Sequence, residues 1–360
     1  MASQIIHALE GWQAFSEAVP FVAAQLDTSQ KTWFYLGCQG PDIFYHSQRT
    51  APYGIYFGSL LHRSKFNEFI VELITAASEA GFALETPEML FILGFASHGW
   101  IDSLTHPYII YHAGWYDPAH PETKQYQYAH TFLERILDSL YWMEHIQVPV
   151  TCFRQADLLI PGYSEKLISE YDKLISTNKN HYNAIIELLI HAFSKTYHHR
   201  FLKFSDTARR IENAFIDSFH VFIKTDPSRI ASLEVSQKQK ELHEAGKAML
   251  FPVQPAIDID WQNTMQKTWY NPCEPLREFT ASWQMLLLQV KHYNTIMFSE
   301  IERWCMQHMN DAQHEQKLLQ ILFPSGTLNV GDENGKQKSP HICNPLPVFE
   351  ALKRFSLNNY

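Results

Sequence analysis

The residues of this chain best equipped for chemistry fall in two short segments. His98, Asp102 and His106 follow one another at four-residue intervals, and His130 and Glu134 repeat that interval after a loop. Both sets sit in stretches that otherwise read as apolar core. A buried imidazole or carboxylate must be paired or bind a metal, because an unpaired buried charge is very costly. Taken alone, His130 and Glu134 are equally well read as an ordinary pair one helical turn apart. With the other three beside them, the five groups point to the clustered metal ions of a hydrolase. Such ions lower the pKa of bound water, polarise a phosphoryl oxygen and stabilise both the attacking and the leaving oxygen.

Helices must position these groups. Thr86, Pro87 and Glu88 make a helix start: a hydroxyl N-cap, a proline at the first helical position and an acid near the positive end of the dipole. At about 100° per residue, Phe91, Gly94, Phe95, His98, Ile101, Asp102 and Thr105 share one face. Gly94 and Gly99 weaken the helix but let another element come close. Pro107 is expected to stop it, since the residue before a proline avoids helical geometry, which places His106 at its very end. A second helix is expected over Lys124–His145, with His130, Leu133, Glu134, Leu137 and Tyr141 on one side. Further helices are expected over Trp12–Leu26 (interrupted at Pro20), Ser29–Leu36, Ser64–Ala80 with Gly81 after it, Ser164–Ser176, Tyr182–His199, Asp206–Lys224 and Leu276–Gln320. Strand patterns are few, so the fold class is all-α. After Lys224 the composition shifts to loops rich in Pro, Gln and charge. This predicts a metal-binding helical catalytic core over 1–225 and a loop-rich, helical extension over 226–360 packed on it.

Bulk properties narrow the function. The 360 residues are 46% apolar and 19% charged, which is globular. A formal net charge of −9 disfavours duplex DNA, whose binding depends on Lys and Arg at phosphates. The five scattered cysteines include no Cys-x-x-Cys pair, so a thiolate zinc site is not expected and a reducing compartment is. The start lacks a secretory signal and no apolar stretch is long enough to span a bilayer, so the expectation is a cytoplasmic protein without a transmembrane segment.

Three earlier residues are weaker candidates. His7 lies in an apolar run, Asp42 follows a tight Gly40–Pro41 turn, and His62 follows Leu60–Leu61 ahead of a helix. Singly, each also suits a core histidine or a turn residue. The aromatic residues around Asp42 (Trp33, Phe34, Tyr35, Phe44, Tyr45, Tyr53, Tyr56, Phe57) could wall a pocket, though most read as core. Arg49 and Arg63 could touch phosphate, with solvated surface as the plainer account. His112, His120, His181, His191, His198, His199, His220 and His243 read as structural or surface residues.

Taken in order, His7, Asp42, His62, His98, Asp102, His106, His130 and Glu134 resemble the ligands of the zinc-dependent phospholipase C family, which is related in fold to the zinc nucleases that cut single strands. The resemblance spans about Ile5 to Asp138 and includes Gly40–Pro41–Asp42–Ile43–Phe44 and Thr105–His106–Pro107–Tyr108. It implies a multi-helix bundle and two or three zinc ions per chain. Asp42, His62, His98 and Asp102 would hold the first ion, His106, His130 and Glu134 the second, and His7 with a bridging Asp102 the third. Secreted members complete the third with their mature N-terminal residue, whereas here six residues precede His7. The implied activity is phospholipase C-like cleavage of a phosphodiester by a zinc-bound hydroxide, with Asp42 as ligand and proton acceptor. The implied partners are a phosphoester, phospholipid first, and transiently a membrane surface. A nuclease or nucleotidase on the same scaffold, or a non-catalytic metal-stabilised interaction module, are the alternatives.

Overall fold

A computed structural model describes residues 3–164, 178–201, 205–234, 244–306, 320–332 and 334–355. The architecture is an all-α bundle with a single two-stranded antiparallel sheet among the described residues. Helix α1 (Gln4–Ala18) breaks at Val19 because Pro20, opening α2 (Pro20–Gln25), has no N–H to continue the ladder. Helix α3 (Thr28–Cys38) starts on a reciprocal cap between Asp27 and Gln30. Then come α4 (Asp42–Tyr45), α5 (Ile55–Arg63), α6 (Phe66–Glu79) and the long α7 (Pro87–Ala113). Helices α8 (Ala129–Ile146), α9 (Gln155–Leu159), α10 (Lys179–Phe201), α11 (Thr207–Lys224), α12 (Pro227–Ser232) and α13 (Glu244–Lys247) follow. The chain closes with the hairpin β1 (Trp269–Asn271) and β2 (Glu274–Phe279), α14 (Trp283–Met306) and α15 (Val348–Arg354).

Three expectations are corrected. Pro107 does not end α7, which runs six residues further, to Ala113, before Gly114 caps it at φ 71°. The lost N–H is outweighed by packing, since Tyr108, Ile109, Ile110, Tyr111 and Ala113 are all buried. His106 is therefore inside a continuous helix, and His98, Asp102 and His106 form one stripe at successive turns. The second helix starts at Ala129 rather than Lys124. Pro121–Tyr126 is a 3-10 turn and Tyr128, at φ 69°, separates it from α8. The long helix expected from Leu276 begins instead at Trp283, because Glu274–Phe279 pairs with Trp269–Asn271. The expected helix at Ser164–Ser176 falls on residues outside the described ones, apart from Ser164.

Two large apolar clusters make most of the core, beside a small one at Ile230 and Leu250. One joins α1, α3, α6, the first half of α7, α10 and α11 with Met297, Phe298 and Ile301 of α14. The other gathers the end of α7 and α8 with Ile5, Ile6, Trp269, Trp283 and Val348. Helix α7 passes from the first cluster into the second, and the stripe His98–His106 lies on the stretch between. Where α3 crosses α7 the backbones nearly touch. A Cβ at Gly94 would meet the Phe34 carbonyl oxygen at 2.1 Å, and one at Gly37 would meet that of Phe91 at 2.1 Å. No helix among the described residues is long and apolar enough to cross a membrane.

Candidate metal centre

Five helices deliver the eight expected residues to one connected cluster. His7 comes from α1, Asp42 from α4 and His62 from α5; His98, Asp102 and His106 come from α7, and His130 and Glu134 from α8. Asp102 is the hub. Its Oδ2 lies 2.8 Å from His98 Nε2 and 3.2 Å from His62 Nε2, and its Oδ1 lies 3.3 Å from His7 Nε2 and 3.7 Å from His106 Nε2. Asp42 Oδ1 approaches His62 Nε2 at 3.2 Å. On the far side Glu134 Oε1 is 3.1 Å from His130 Nε2 and 3.9 Å from His106 Nε2.

Local structure sets these orientations. Gly40, at φ +52°, turns the chain under the His98 ring, where a Cβ would clash at 2.4 Å, and so places Asp42 at the start of α4. The Gly37–Gly94 crossing brings the Cys38 carbonyl within 3.1 Å of His98 Nδ1. His62 Nδ1 donates to the Gly58 carbonyl at 2.9 Å, and His106 Nδ1 donates to the Leu328 carbonyl at 2.6 Å. Each carbonyl claims the Nδ1 proton, so Nε2 turns inward as the ligating atom, as in known metal sites.

Charge follows the same logic. Burial works against ionised carboxylates here, but neighbouring imidazoles overcome it. Asp42 lies well below the usual carboxylate range with His62 and His98 contributing, Asp102 is lowered by His106 and His98, and Glu134 by His130. Burial carries His106 down to about 4 and, with His98 nearby, lowers His7. His62, also opposed by burial, is pushed up to about 9 by its bonds to Asp102 and Asp42. The ionised carboxylates and the neutral His7 and His106 are in the protonation states that a metal requires of its ligands, and His62 would give up its Nε2 proton on binding one.

The residues fit zinc. Three sets of ligand atoms lie within 4.8 Å of one another: His7, His98 and Asp102; Asp42, His62 and His98; His106, His130 and Glu134. Imidazole nitrogen and carboxylate oxygen are the donors this ion prefers. His98 Nε2 and Asp102 Oδ2, though close, form no hydrogen bond, and His7 Nδ1 and Glu134 Oε2 are buried with no partner among the described residues. Native proteins rarely leave such atoms unsatisfied unless something else binds there. Seven of the eight side chains are nearly sealed, whereas His130 is 28% exposed, so the centre meets solvent at His130. Tyr45, its ring 4.9 Å from that of His62, stays a neutral phenol because burial raises its pKa.

Other expected features are placed differently. Trp33, Phe34, Phe44 and Phe57 are core, while Tyr53 and Tyr56 are exposed. The Arg49 main-chain N–H donates to Asp217. Supports from the chain's far end were not foreseen: Leu328 against His106, and Thr327 Oγ1 and Leu328 N on the His62 carbonyl at 2.8 Å each. Asp138 was also missed, although His130, Glu134 and Asp138 continue the four-residue interval that marked the other ligands.

A family model for zinc-dependent phospholipase C matches residues 7–214. No curated protein and no solved structure matches the chain. The matched span includes every one of the eight residues from His7 to Glu134 and covers more than half of the 360 residues. The chain therefore belongs to the zinc-dependent phospholipase C family and is a hydrolase of phosphodiesters.

Proposed function

We propose that Asp42, His62, His98 and Asp102 hold one zinc ion, that His106, His130 and Glu134 hold a second, and that His7 with Asp102 holds a third more weakly. His98 belongs to two of the ligand sets, yet its Nδ1 is engaged by Cys38 and its single Nε2 lone pair serves one ion. This leaves the third position with fewer protein ligands. When bound, the ions supply an activated water and neutralise charge on the phosphoryl group.

The side chains do the rest. Asp42, ionised and buried against His62, orients the attacking water and accepts its proton transiently. Asp102 would serve both the first and the third position, with Oδ2 facing His62 and His98 and Oδ1 facing His7. The solvent-facing edge at His130 admits the phosphodiester, and Tyr45 offers a phenolic donor beside His62. The substrate we propose is a phospholipid, met by transient contact with a membrane surface; duplex DNA is disfavoured by the net charge of −9. The five free cysteines favour the cytoplasm. Residues 1–225 form the catalytic core, and the extension over 226–360 completes it through the loop at Leu328.

The observation that carries this reading is the buried carboxylate of Asp102 faced by four imidazole nitrogens. Metal analysis of the pure protein, coupled to assays on phosphatidylcholine, other phosphodiesters, single-stranded nucleic acid and nucleotides, tests it. Bound zinc and chelator-sensitive release of diacylglycerol are expected. Cleavage of nucleic acid alone would replace the phospholipid with a nuclease substrate, and an inert panel with metal bound would end the catalytic reading.

A further inference from the structure

We propose that Asp138 is the positioning residue for His7, a carboxylate on the ligand helix α8 that clamps the first turn of α1 and thereby sets where His7 enters the metal centre. Four donors from the start of α1 converge on it. Gln4 N–H reaches Oδ2 at 2.8 Å, Ile5 N–H and Ile6 N–H reach Oδ1 at 3.1 and 2.9 Å, and the Ser3 hydroxyl donates to Oδ1 as well. These are the orphan N–H groups of a helix N-terminus, which an N-cap side chain ordinarily satisfies. Ser3 does not cap its own helix. Its hydroxyl turns instead to a carboxylate 135 positions away in the chain.

Asp138 is fully buried, and its charge is balanced by Arg135 Nη1 at 2.9 Å. Arg135 is itself fully buried, its guanidinium 4.8 Å from the Phe251 ring. The clamp is therefore built into α8 and cannot drift independently of it. On that helix His130, Glu134 and Asp138 lie one turn apart along one stripe, so the helix that supplies two ligands also fixes the helix that supplies His7.

His7 follows directly after the last clamped N–H, that of Ile6. Three main-chain bonds to one carboxylate define both the rotation and the axial position of α1. A slip of one residue would turn the ring by about 100° away from Asp102 Oδ1, now 3.3 Å from His7 Nε2. The Gln4, Ile5 and Ile6 N–H groups point at Asp138, so these three are not offered to the centre.

The inference rests on the reading of His7 as a ligand, and its test separates the two. Zinc and cobalt(II) titrations, read by metal content and by the cobalt spectrum, are compared for wild type, His7→Ala, Glu134→Gln and Asp138→Asn. The amide of Asp138→Asn would present a donor to the Gln4 N–H and to Arg135. It is expected to weaken the ion that His7→Ala loses by roughly tenfold or more, and to leave the ion lost in Glu134→Gln at wild-type affinity. Equal weakening of both ions means general destabilisation and overturns the clamp; so does unchanged binding of both. If Asp138→Asn does not fold, Ser3→Ala decides, with about a threefold loss confined to the His7-dependent ion expected and no loss overturning the proposal. If His7→Ala binds every ion that wild type binds, His7 is not a ligand and the proposal falls with that reading.

Discussion

The Nδ1 of His106 donates to the main-chain carbonyl of Leu328, 222 positions later in the chain, at 2.6 Å. The same loop donates the Leu328 N–H and the Thr327 hydroxyl to the carbonyl of His62. Residues from beyond the family match thus orient the imidazole of His106 and hold the main chain of His62, both of which lie within it. The extension is part of the centre's framework, a dependence that outer partners of ligating histidines commonly carry.

Gly326 tests that dependence. It sits at φ +102°, and a Cβ there would lie 2.4 Å from the carbonyl oxygen of Gly335. Gly326→Ala is expected to shift the loop, free His106 Nδ1 from Leu328 and lower zinc affinity at the His106, His130 and Glu134 position by roughly tenfold. Far-UV circular dichroism should be unchanged. Zinc competition against a chromophoric chelator reads the effect, and wild-type affinity in the variant would show that the Leu328 carbonyl does not orient His106.

The crossing of α3 and α7 couples stability to the centre. Gly94→Ala forces a methyl against the Phe34 carbonyl oxygen and pushes α3 outward, lengthening the His98 Nδ1 bond to Cys38. Overpacking of this kind costs about 1–3 kcal/mol. Urea denaturation should show that loss, and hydrolysis at a temperature where the variant is fully folded should still be impaired. A variant that is destabilised but fully active would uncouple the crossing from His98.

What could be read from the sequence divides along the range of the interactions. The stripe at His98, Asp102 and His106 was legible because helical period alone puts such residues on one face. The all-α class was legible from the same periodicity and the scarcity of alternating runs. The end of α7 was misplaced because Pro107 is a local stop signal, and the buried Tyr108–Tyr111 segment that overrides it is tertiary. The hairpin at Trp269–Phe279 was missed for a similar reason: β1 has only three residues, too few to show alternation. Asp217 illustrates the limit well. It lies one helical turn before His220, a spacing that fits a pair within the helix, yet its carboxylate accepts from Arg49 N, Thr50 N and Thr50 Oγ1, contacts that no local pattern announces.

Asp102 is the residue whose loss should be felt by every ion. Asp102→Asn replaces one oxygen with an amide nitrogen that cannot ligate and removes the charge facing four imidazoles. Hydrolysis is expected to fall on the order of 10³-fold, as when a principal electrostatic group of an active site is removed. Metal content should drop below that of His7→Ala or Glu134→Gln. Retention of the full metal complement would show that Asp102 does not bridge.

His112 predicts how the fold responds to acid. Its ring is packed against Tyr108 at 4.3 Å and Tyr111 at 5.0 Å, with Trp269 beyond at 6.4 Å. Neither ring nitrogen has a hydrogen-bond partner among the described residues. Burial holds this imidazole down at about 4, with Asp260 the acid that partly opposes the shift. A histidine whose pKa is depressed by folding binds its proton more readily when unfolded. Its contribution is therefore complete above pH 6.5 and is lost as the pH falls toward 4. A shift of that size corresponds to roughly 3 kcal/mol at the acid end. His112→Phe keeps an aromatic ring in the same pocket and removes the titration. Stability measured by urea denaturation from pH 7.5 to 4 should decline less steeply in the variant than in wild type, the gap closing or reversing in its favour as the pH drops. Parallel curves would mean that His112 takes up a proton in place, with the pocket opening to admit water, and would assign the acid response to the other buried histidines, of which His46 is held equally low by burial.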